Sequence, residues 1–233
     1  YIVLQSSYIT PFFVTKGFRD LLLLQRHDRK RIYDLFYQKP QPVVGRQDTF
    51  EIDERLVADG TVITALDEKA AHEVVASALG SGEYQAVAIC FLNSYANPEH
   101  ERLLAKMIRD EYPNVFVTYS AEVTREFREY ERATTTALSA YVQPVIDSYI
   151  SRMQKELDSR GYASKFSIMQ SNGGRLPTEG IRKNAITCLY SGPAAGVMGA
   201  IHQAGLSGFK DIITLDMGGT STDICLVQDG RPD

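Results

Sequence analysis

Eight consecutive residues, Asp216-Met217-Gly218-Gly219-Thr220-Ser221-Thr222-Asp223, carry the clearest chemistry in the sequence. The two glycines lack a Cβ, so the backbone can take positive φ and turn successive N–H groups into one concavity, which suits an anion. Thr220, Ser221 and Thr222 add hydroxyls able to donate to phosphate oxygens, and no bulky side chain obstructs a close approach. Asp216 and Asp223 bring carboxylates to the rim as the candidate catalytic pair. Asp216 is the candidate Mg²⁺ ligand, acting through the ion's water shell, and the pair would orient an attacking group. Without a cation these carboxylates would repel the phosphate they flank. The competing reading is a hairpin turn that uses Gly-Gly for geometry alone. A bare D-x-G would be read that way, whereas D-x-G-G-T-S-T-D between apolar strands points to nucleotide phosphate. The absence of G-K-[ST] sets it apart from a Walker P-loop.

Two more glycine-rich turns are candidates for the same site. Ser191-Gly192-Pro193-Ala194-Ala195-Gly196 offers an N-cap, a proline suited to a first turn and small residues running into a helix whose N-terminus attracts anions, so Ser191 and Gly192 join the cofactor-binding candidates. Tight helix packing through Ala and Gly would use the same residues. The loop Ser171-Asn172-Gly173-Gly174 follows a strand, where ligand-contacting loops of α/β folds lie, so Asn172, Gly173 and Gly174 are cofactor-binding candidates, although a simple turn has the same composition. Histidines 27, 72, 100 and 202 show no metal-ligand spacing. The run Glu126, Arg128, Glu129, Glu131, Arg132 reads as a solvated helix face, from which Arg132 could reach a bound phosphate.

These turns need elements to hold them. Residues up to about 48 read as an irregular segment. From 48 to 64 the apolar alternation improves, and Asp59-Gly60 signals a hairpin. Asp67 is an N-cap for a helix with Ala70, Ala71, Val74, Val75, Ala78 and Leu79 on one face, stopped by Gly80 and Gly82. Ala86 to Leu92 is a nearly continuous apolar run, expected as a strand covered on both sides. Asn97-Pro98 starts a helix that ends near Pro113, and Val115 to Tyr119 makes the next strand. A long one-sided helix follows from about 130 to 160, with Pro144 expected to kink or divide it. Beyond it come a strand at 166–170, an extended piece at 186–190, a helix from Ser191, and strands at 212–215 and 224–227. Asp229-Gly230 signals a further turn with no returning strand. Helix and strand alternating in this way is the pattern of a layered α/β protein.

A chain of 233 residues with 44% hydrophobic and 23% charged residues can bury a real core, in one large domain or two small ones. Its net charge of −4 gives no general attraction to nucleic acid or to an anionic membrane, so any phosphate must be held locally. Cys90, Cys188 and Cys225 lie far apart in apolar stretches, without metal or redox spacing. They read as small core residues of a protein in a reducing compartment. No apolar run approaches membrane-spanning length and the N-terminus lacks a signal-peptide plan, so a cytoplasmic protein is expected.

Seven blocks in order resemble the hydantoinase/oxoprolinase family, specifically its HyuA-type ATP-binding subunit. They are Thr15-Lys16-Gly17-Phe18-Arg19-Asp20, Tyr33-Asp34-Leu35-Phe36, Phe91 to Glu101, Glu129-Tyr130-Glu131-Arg132, Met169 to Gly174, Ser191 to Gly196, and Asp216 to Asp223. The resemblance implies an actin-like ATPase fold of two ribonuclease H-like halves with ATP and Mg²⁺ between them. It implies residues 1–128 as the C-terminal part of an N-terminal domain, and 129–233 as a connecting helix and the start of a second actin-like domain. It further implies ATP-dependent opening of a cyclic amide such as hydantoin, N-methylhydantoin or 5-oxoproline, alongside a HyuB-like second subunit, with homo-oligomers also compatible. ATP-dependent acetone and acetophenone carboxylase subunits share the blocks, and a non-enzymatic actin-like module is the remaining alternative. Family members carry a first D-x-G-G-T-x-T-D turn near their N-terminus. This chain has no counterpart before residue 216, and it ends before the expected adenosine-binding segments. An internal fragment unable to hydrolyse ATP alone is therefore expected.

Overall fold

A computed structural model of the chain describes residues 10–80, 82, 84–162 and 164–233. The first nine residues of the segment assigned to the N-terminal domain lie outside that set. The chain divides into two compact units, one ending at Tyr149 and the other running from Ile150 to Asp233. The division falls inside the long helix rather than at its start. Among the described residues no helix is long and apolar enough to cross a membrane.

The first unit runs β1 (Phe12–Thr15), α1 (Leu21–Leu24), β2 (Thr49–Ile52), β3 (Arg55–Leu56), β4 (Val62–Thr64), α2 (Glu68–Leu79), β5 (Ala86–Cys90), α3 (Glu99–Glu111), β6 (Phe116–Tyr119), α4 (Ser120–Val123) and the first part of α5 (Glu129–Ser159). Its core is a parallel sheet in the order β2-β1-β5-β6. Every residue of β5 is buried, because period-two alternation sends Val87 and Ile89 to one face and Ala86, Ala88 and Cys90 to the other. On the first face they meet Ala71, Val75 and Leu79 of α2 and Leu104 and Ile108 of α3. On the second they meet Ala133, Ala137 and Ala140 of α5, whose small side chains let the helix approach closely. This is the doubly covered strand that a continuous apolar run predicts.

β1 corrects the irregular reading of the first 48 residues. It is a central strand, buried on both faces, and four residues between Pro11 and Lys16-Gly17 are too few for any periodicity to show. The Asp59-Gly60 hairpin is present, joining β3 to β4, with Gly60 at φ +87° and the Asp59 carboxylate accepting the Thr61 N–H at 2.9 Å. Asp67 caps α2 as expected, accepting the Lys69 and Ala70 N–H groups at 3.0 and 3.1 Å. The next cap moves by one residue: Pro98 is the cap of α3, and the Asn97 side chain accepts the Glu99 N–H at 3.1 Å. Pro144 does not divide α5, which is one helix of 31 residues.

Polar groups are buried beneath the carboxyl ends of β1 and β5. Glu101, fully buried, accepts the Phe91 N–H at 2.8 Å, the Ser94 and Ser120 hydroxyls at 2.8 and 2.6 Å, and the Ala121 N–H at 2.9 Å. Glu54 accepts the Thr15 hydroxyl and meets His100 Nδ1 at 2.8 Å. Arg132 is also fully buried, so the solvated face read over residues 126–132 holds for the exposed Glu126 and Arg128 but not for this arginine. Its Nη2 donates to Phe91 O at 2.7 Å and to Glu129, while Nε and Nη1 have no acceptor among the described residues. Burial pushes the Cys90 thiol up to about 12. Iodoacetamide at pH 8 is therefore expected to spare Cys90 in the folded chain and modify it only after urea unfolding, read by peptide mass spectrometry. Modification of Cys90 in the native chain would show that this face of the sheet opens.

The second unit runs from the end of α5 through β7 (Ser167–Met169), β8 (Arg175–Pro177), α6 (Thr178–Lys183), α7 (Ser191–Leu206), β9 (Ile212–Met217), β10 (Thr222–Gln228) and β11 (Arg231–Pro232). The expected extended piece at 186–190 is instead a 3₁₀ turn at Ala185–Cys188, where the Thr187 hydroxyl bonds Asn184 O at 2.8 Å and offers the backbone an alternative to a strand. β11-β10-β9 form an antiparallel sheet against which α7 packs. The returning strand that the sequence reading lacked is β11, entered through Asp229 and Gly230, both left-handed at φ 50° and 73°. Cys188 and Cys225 are half-buried rather than core residues.

Candidate nucleotide-phosphate site

β9 and β10 pair with Met217 opposite Thr222, Asp216 opposite Asp223 and Leu215 opposite Ile224. Gly218 to Ser221 form the connection, closed by the Gly218 N–H donating to Ser221 O at 2.9 Å. The expected hairpin is therefore in place, but its glycines act differently from the sequence reading. Neither Gly218 nor Gly219 has positive φ, because a four-residue connection closes here without a left-handed residue. A Cβ on Gly219 would meet nothing within 4 Å, and one on Gly218 would meet only Ser221 O at 3.6 Å. Neither backbone strain nor crowding within the chain calls for glycine. What two such glycines provide is clearance for something outside the chain to approach the backbone.

Directly opposite residues of an antiparallel pair project from the same face, with Cα atoms about 4.5–5.5 Å apart. Asp216 and Asp223 therefore stand side by side, an arrangement that disfavours itself unless a cation joins it. Both line a cleft of about 880 Å³ in the second unit, whose other walls include Tyr190, Pro193, Ala194 and Gly196 from the start of α7, Phe209, and Thr214. A Cβ on Gly196 would lie 3.9 Å from Asp216 Oδ2, so the helix passes close to the carboxylate. The volume suits a nucleotide-sized ligand in a mostly apolar pocket with a few polar groups. No lysine, arginine or histidine lines the cleft among the described residues. A phosphate entering beside two carboxylates thus needs a divalent cation, and these oxygens are of the hard type that Mg²⁺ takes, directly or through water.

The hydroxyls of Thr220, Ser221 and Thr222 are exposed and donate to no protein acceptor among the described residues, which leaves them free for a ligand. α7 begins at Ser191 rather than after it. Its cap is Tyr190 at φ 60°, without a side-chain hydrogen bond, so the Ser191 and Gly192 N–H groups keep their open valence at the helix N-terminus. Ser191 and Gly192 flank the cleft; Tyr190, Pro193 and Ala194 line it. The block at 171–174 joins β7 to β8. Asn172 Oδ1 accepts the Gly174 N–H at 2.8 Å, and Gly173, at φ +81°, lies against Met198. Ser171 lines the cleft, whereas Asn172, Gly173 and Gly174 do not. Of the loop 171–174 that the sequence offers, Ser171 alone reaches the cleft; the sequence reading missed Tyr190 and Gln203. The signal for the last was present in Pro193, Ala194, Gly196, Val197, Ala200, Gln203, Ala204 and Ser207, which recur at helical spacing along one face of α7.

Two family models match the chain: the hydantoinase/oxoprolinase N-terminal region over residues 2–112, and hydantoinase/oxoprolinase over residues 132–233. The alpha subunit of caprolactamase from Pseudomonas jessenii is 36% identical over 220 residues, covering 93% of this chain and 31% of its own. The crystal structure of that ATP-dependent caprolactamase superposes with a TM-score of 0.83 over 93% of this chain and 32% of that one, at 35% identity. The gamma subunit of acetophenone carboxylase from Aromatoleum aromaticum is 30% identical, covering 91% of this chain and 30% of its own. The 5-oxoprolinase of Saccharomyces cerevisiae is 31% identical over 94% of this chain and 19% of its own. The chain thus spans a third or less of the length of these relatives. Its α/β architecture, with a parallel sheet in the first unit, agrees with an actin-like ATPase fold.

Proposed function

Because the chain belongs to the hydantoinase/oxoprolinase family, we propose that it supplies one nucleotide-phosphate turn of a HyuA-type subunit that opens a cyclic amide at the expense of ATP. The observation that carries this reading is the Asp216/Asp223 pair facing across β9 and β10, beside two glycines that the chain itself does not require. Asp216 and Asp223 would hold Mg²⁺; the backbone N–H groups of Gly218 and Gly219 and the hydroxyls of Thr220, Ser221 and Thr222 would hold the phosphate. ATP would supply the phosphoryl group that, placed on the amide oxygen, makes the carbonyl carbon electrophilic enough for water to add. The C–N bond would then break with the ring nitrogen leaving as the amine, and a second water would release phosphate from the acyl phosphate. The residues of this chain fix the phosphates and neutralise them through the cation, with the start of α7 adding favourable dipole potential. A HyuB-like second subunit fits the naming of relatives as alpha and gamma subunits. Free cysteines fit a cytoplasmic setting.

The acetophenone carboxylase relative supports a second reading, in which the same phosphoryl transfer activates an enol or bicarbonate. Assay of the complex with hydantoins, 5-oxoproline and small ketones plus bicarbonate separates the two.

The phosphate reading is tested by titrating the chain with ATP, with and without Mg²⁺, and following the amide resonances of Gly218 to Ser221. Mg²⁺ is expected to strengthen binding at these amides by roughly tenfold or more, and Asp216→Asn/Asp223→Asn to remove most of that dependence. Binding that ignores Mg²⁺ in the unaltered chain would sink the assignment of the carboxylates.

A further inference from the structure

Two hydroxyls at one end of the cleft have no partner within the chain. Tyr190 and Ser171 both line it, and neither side chain makes a hydrogen bond among the described residues. They reach that end together. The Ser171 N–H donates to Thr187 O at 2.8 Å, which ties the loop after β7 to the 3₁₀ turn at Ala185–Cys188, and Tyr190 follows that turn directly before α7. Tyr190 stands there at a conformational cost. Its φ of 60° and ψ of 20° are left-handed, a region open to glycine or asparagine and unfavourable for a bulky residue. Its ring recovers nothing from the chain, being 86% exposed and in contact with no other ring or cation among the described residues. Strain that the folded chain does not offset through the side chain's own contacts points to something that side chain meets from outside.

The carboxylate pair lies farther along the same helix. A Cβ on Gly196 would stand 3.9 Å from Asp216 Oδ2, and Tyr190 precedes Gly196 by six residues, about 9 Å along the helix axis. A cation held by Asp216 and Asp223 would therefore neutralise one part of a bound phosphate chain and leave the part nearer Tyr190 without a countercharge. No lysine, arginine or histidine lines the cleft among the described residues, so O–H donors are the side chains left to meet phosphate oxygens there. We infer that the left-handed turn at Tyr190 serves to present its phenol, together with the Ser171 hydroxyl, to phosphate oxygens of the bound nucleotide on the side away from the carboxylate pair. The inference rests on the phosphate reading above and adds a second set of donors to it. Phosphate rather than nucleoside is the group these hydroxyls meet, because they flank the N-terminus of a 16-residue helix, where the potential favours an anion.

The test is isothermal titration of the unaltered chain, Tyr190→Phe, Ser171→Ala and Tyr190→Gly with Mg·ATP, Mg·tripolyphosphate and adenosine, with thermal unfolding of each. Tyr190→Phe and Ser171→Ala each remove one hydroxyl. Both are expected to weaken ATP and tripolyphosphate alike by roughly 3–10-fold, without effect on adenosine or on the melting temperature. Tyr190→Gly is expected to weaken both polyphosphates at least as much while raising the melting temperature by roughly 2–4 °C, since glycine takes the left-handed conformation without a steric penalty. Stability rising while affinity falls is a signature that a tyrosine serving only the turn cannot give. If the unaltered chain binds no Mg·ATP, the phosphate reading fails and takes this inference with it. If it binds and the Phe and Ala variants bind equally tightly, the reading stands and the hydroxyls are not ligands. A loss seen with ATP but not with tripolyphosphate would assign Tyr190 to the nucleoside, and a lower melting temperature for Tyr190→Gly would assign it to the turn; either result overturns the inference.

Discussion

Gly219→Val is expected to leave the chain as stable as the unaltered one and to weaken nucleotide binding by roughly 10–100-fold, the worth of one or two charge-assisted hydrogen bonds. The two halves of that expectation have separate causes. Stability is spared because Gly219 is not in the left-handed region and a Cβ there meets nothing within 4 Å. Binding suffers because a branched side chain occupies the space through which a phosphate would approach the backbone N–H groups. Thermal unfolding and a Mg·ATP titration on the same samples read both quantities. A clear drop in melting temperature would mean that the glycine serves the turn itself. Unchanged binding would remove the phosphate from this hairpin.

Glu101→Ala is expected to have the opposite signature, costing the first unit about 3–5 kcal/mol and largely unfolding it. The carboxylate takes four donors, from the end of β5, the segment after it and the start of α4. Alanine would leave these buried donors unpaired and open a cavity. Burial pushes the Glu101 carboxyl above the ordinary carboxylate range, although the four donors pull the other way. The protonated form is therefore the better tolerated. The associated stability is complete below the ordinary glutamate pKa and is lost as pH rises through the raised value. Glu101→Gln, a neutral isostere, should flatten that part of the stability profile while destabilising less than alanine. Urea melts from pH 4 to pH 8 would show it, and a Gln variant with the parental pH profile would assign the dependence elsewhere.

How far the sequence could be read depended on how local the cause of each feature is. Asp67 as a cap and Asp59-Gly60 as a hairpin rest on side-chain and backbone chemistry within three residues, and both were legible. The D-x-G-G-T-S-T-D hairpin was legible in place and register, yet the reason for its glycines was not, since φ and free space belong to the folded backbone. β1 was illegible because its evidence lies in β2 and β5, strands distant in sequence that make four residues central. Arg132 misled for a similar reason. A charged run normally faces water, and only the sheet beneath α5 turns this arginine inward, toward Phe91 O. In the cleft, Asp216 and Asp223 announced themselves by spacing and Ser171 by its place in a Gly-rich loop after a strand, while Tyr190 arrives through tertiary placement alone.

The order β2-β1-β5-β6 also sets a timetable. Phe12 pairs with Thr49 on one side and with Ala88 on the other, so the Phe-Phe-Val-Thr strand has no complete seat until the chain through β5 has been made. Parallel pairing across such separations is slow, because the entropy of closing each loop is lost before its contacts form. During synthesis this strand therefore waits, with β2 available for one edge well before β5 is made for the other. That interval is where misassembly competes with folding.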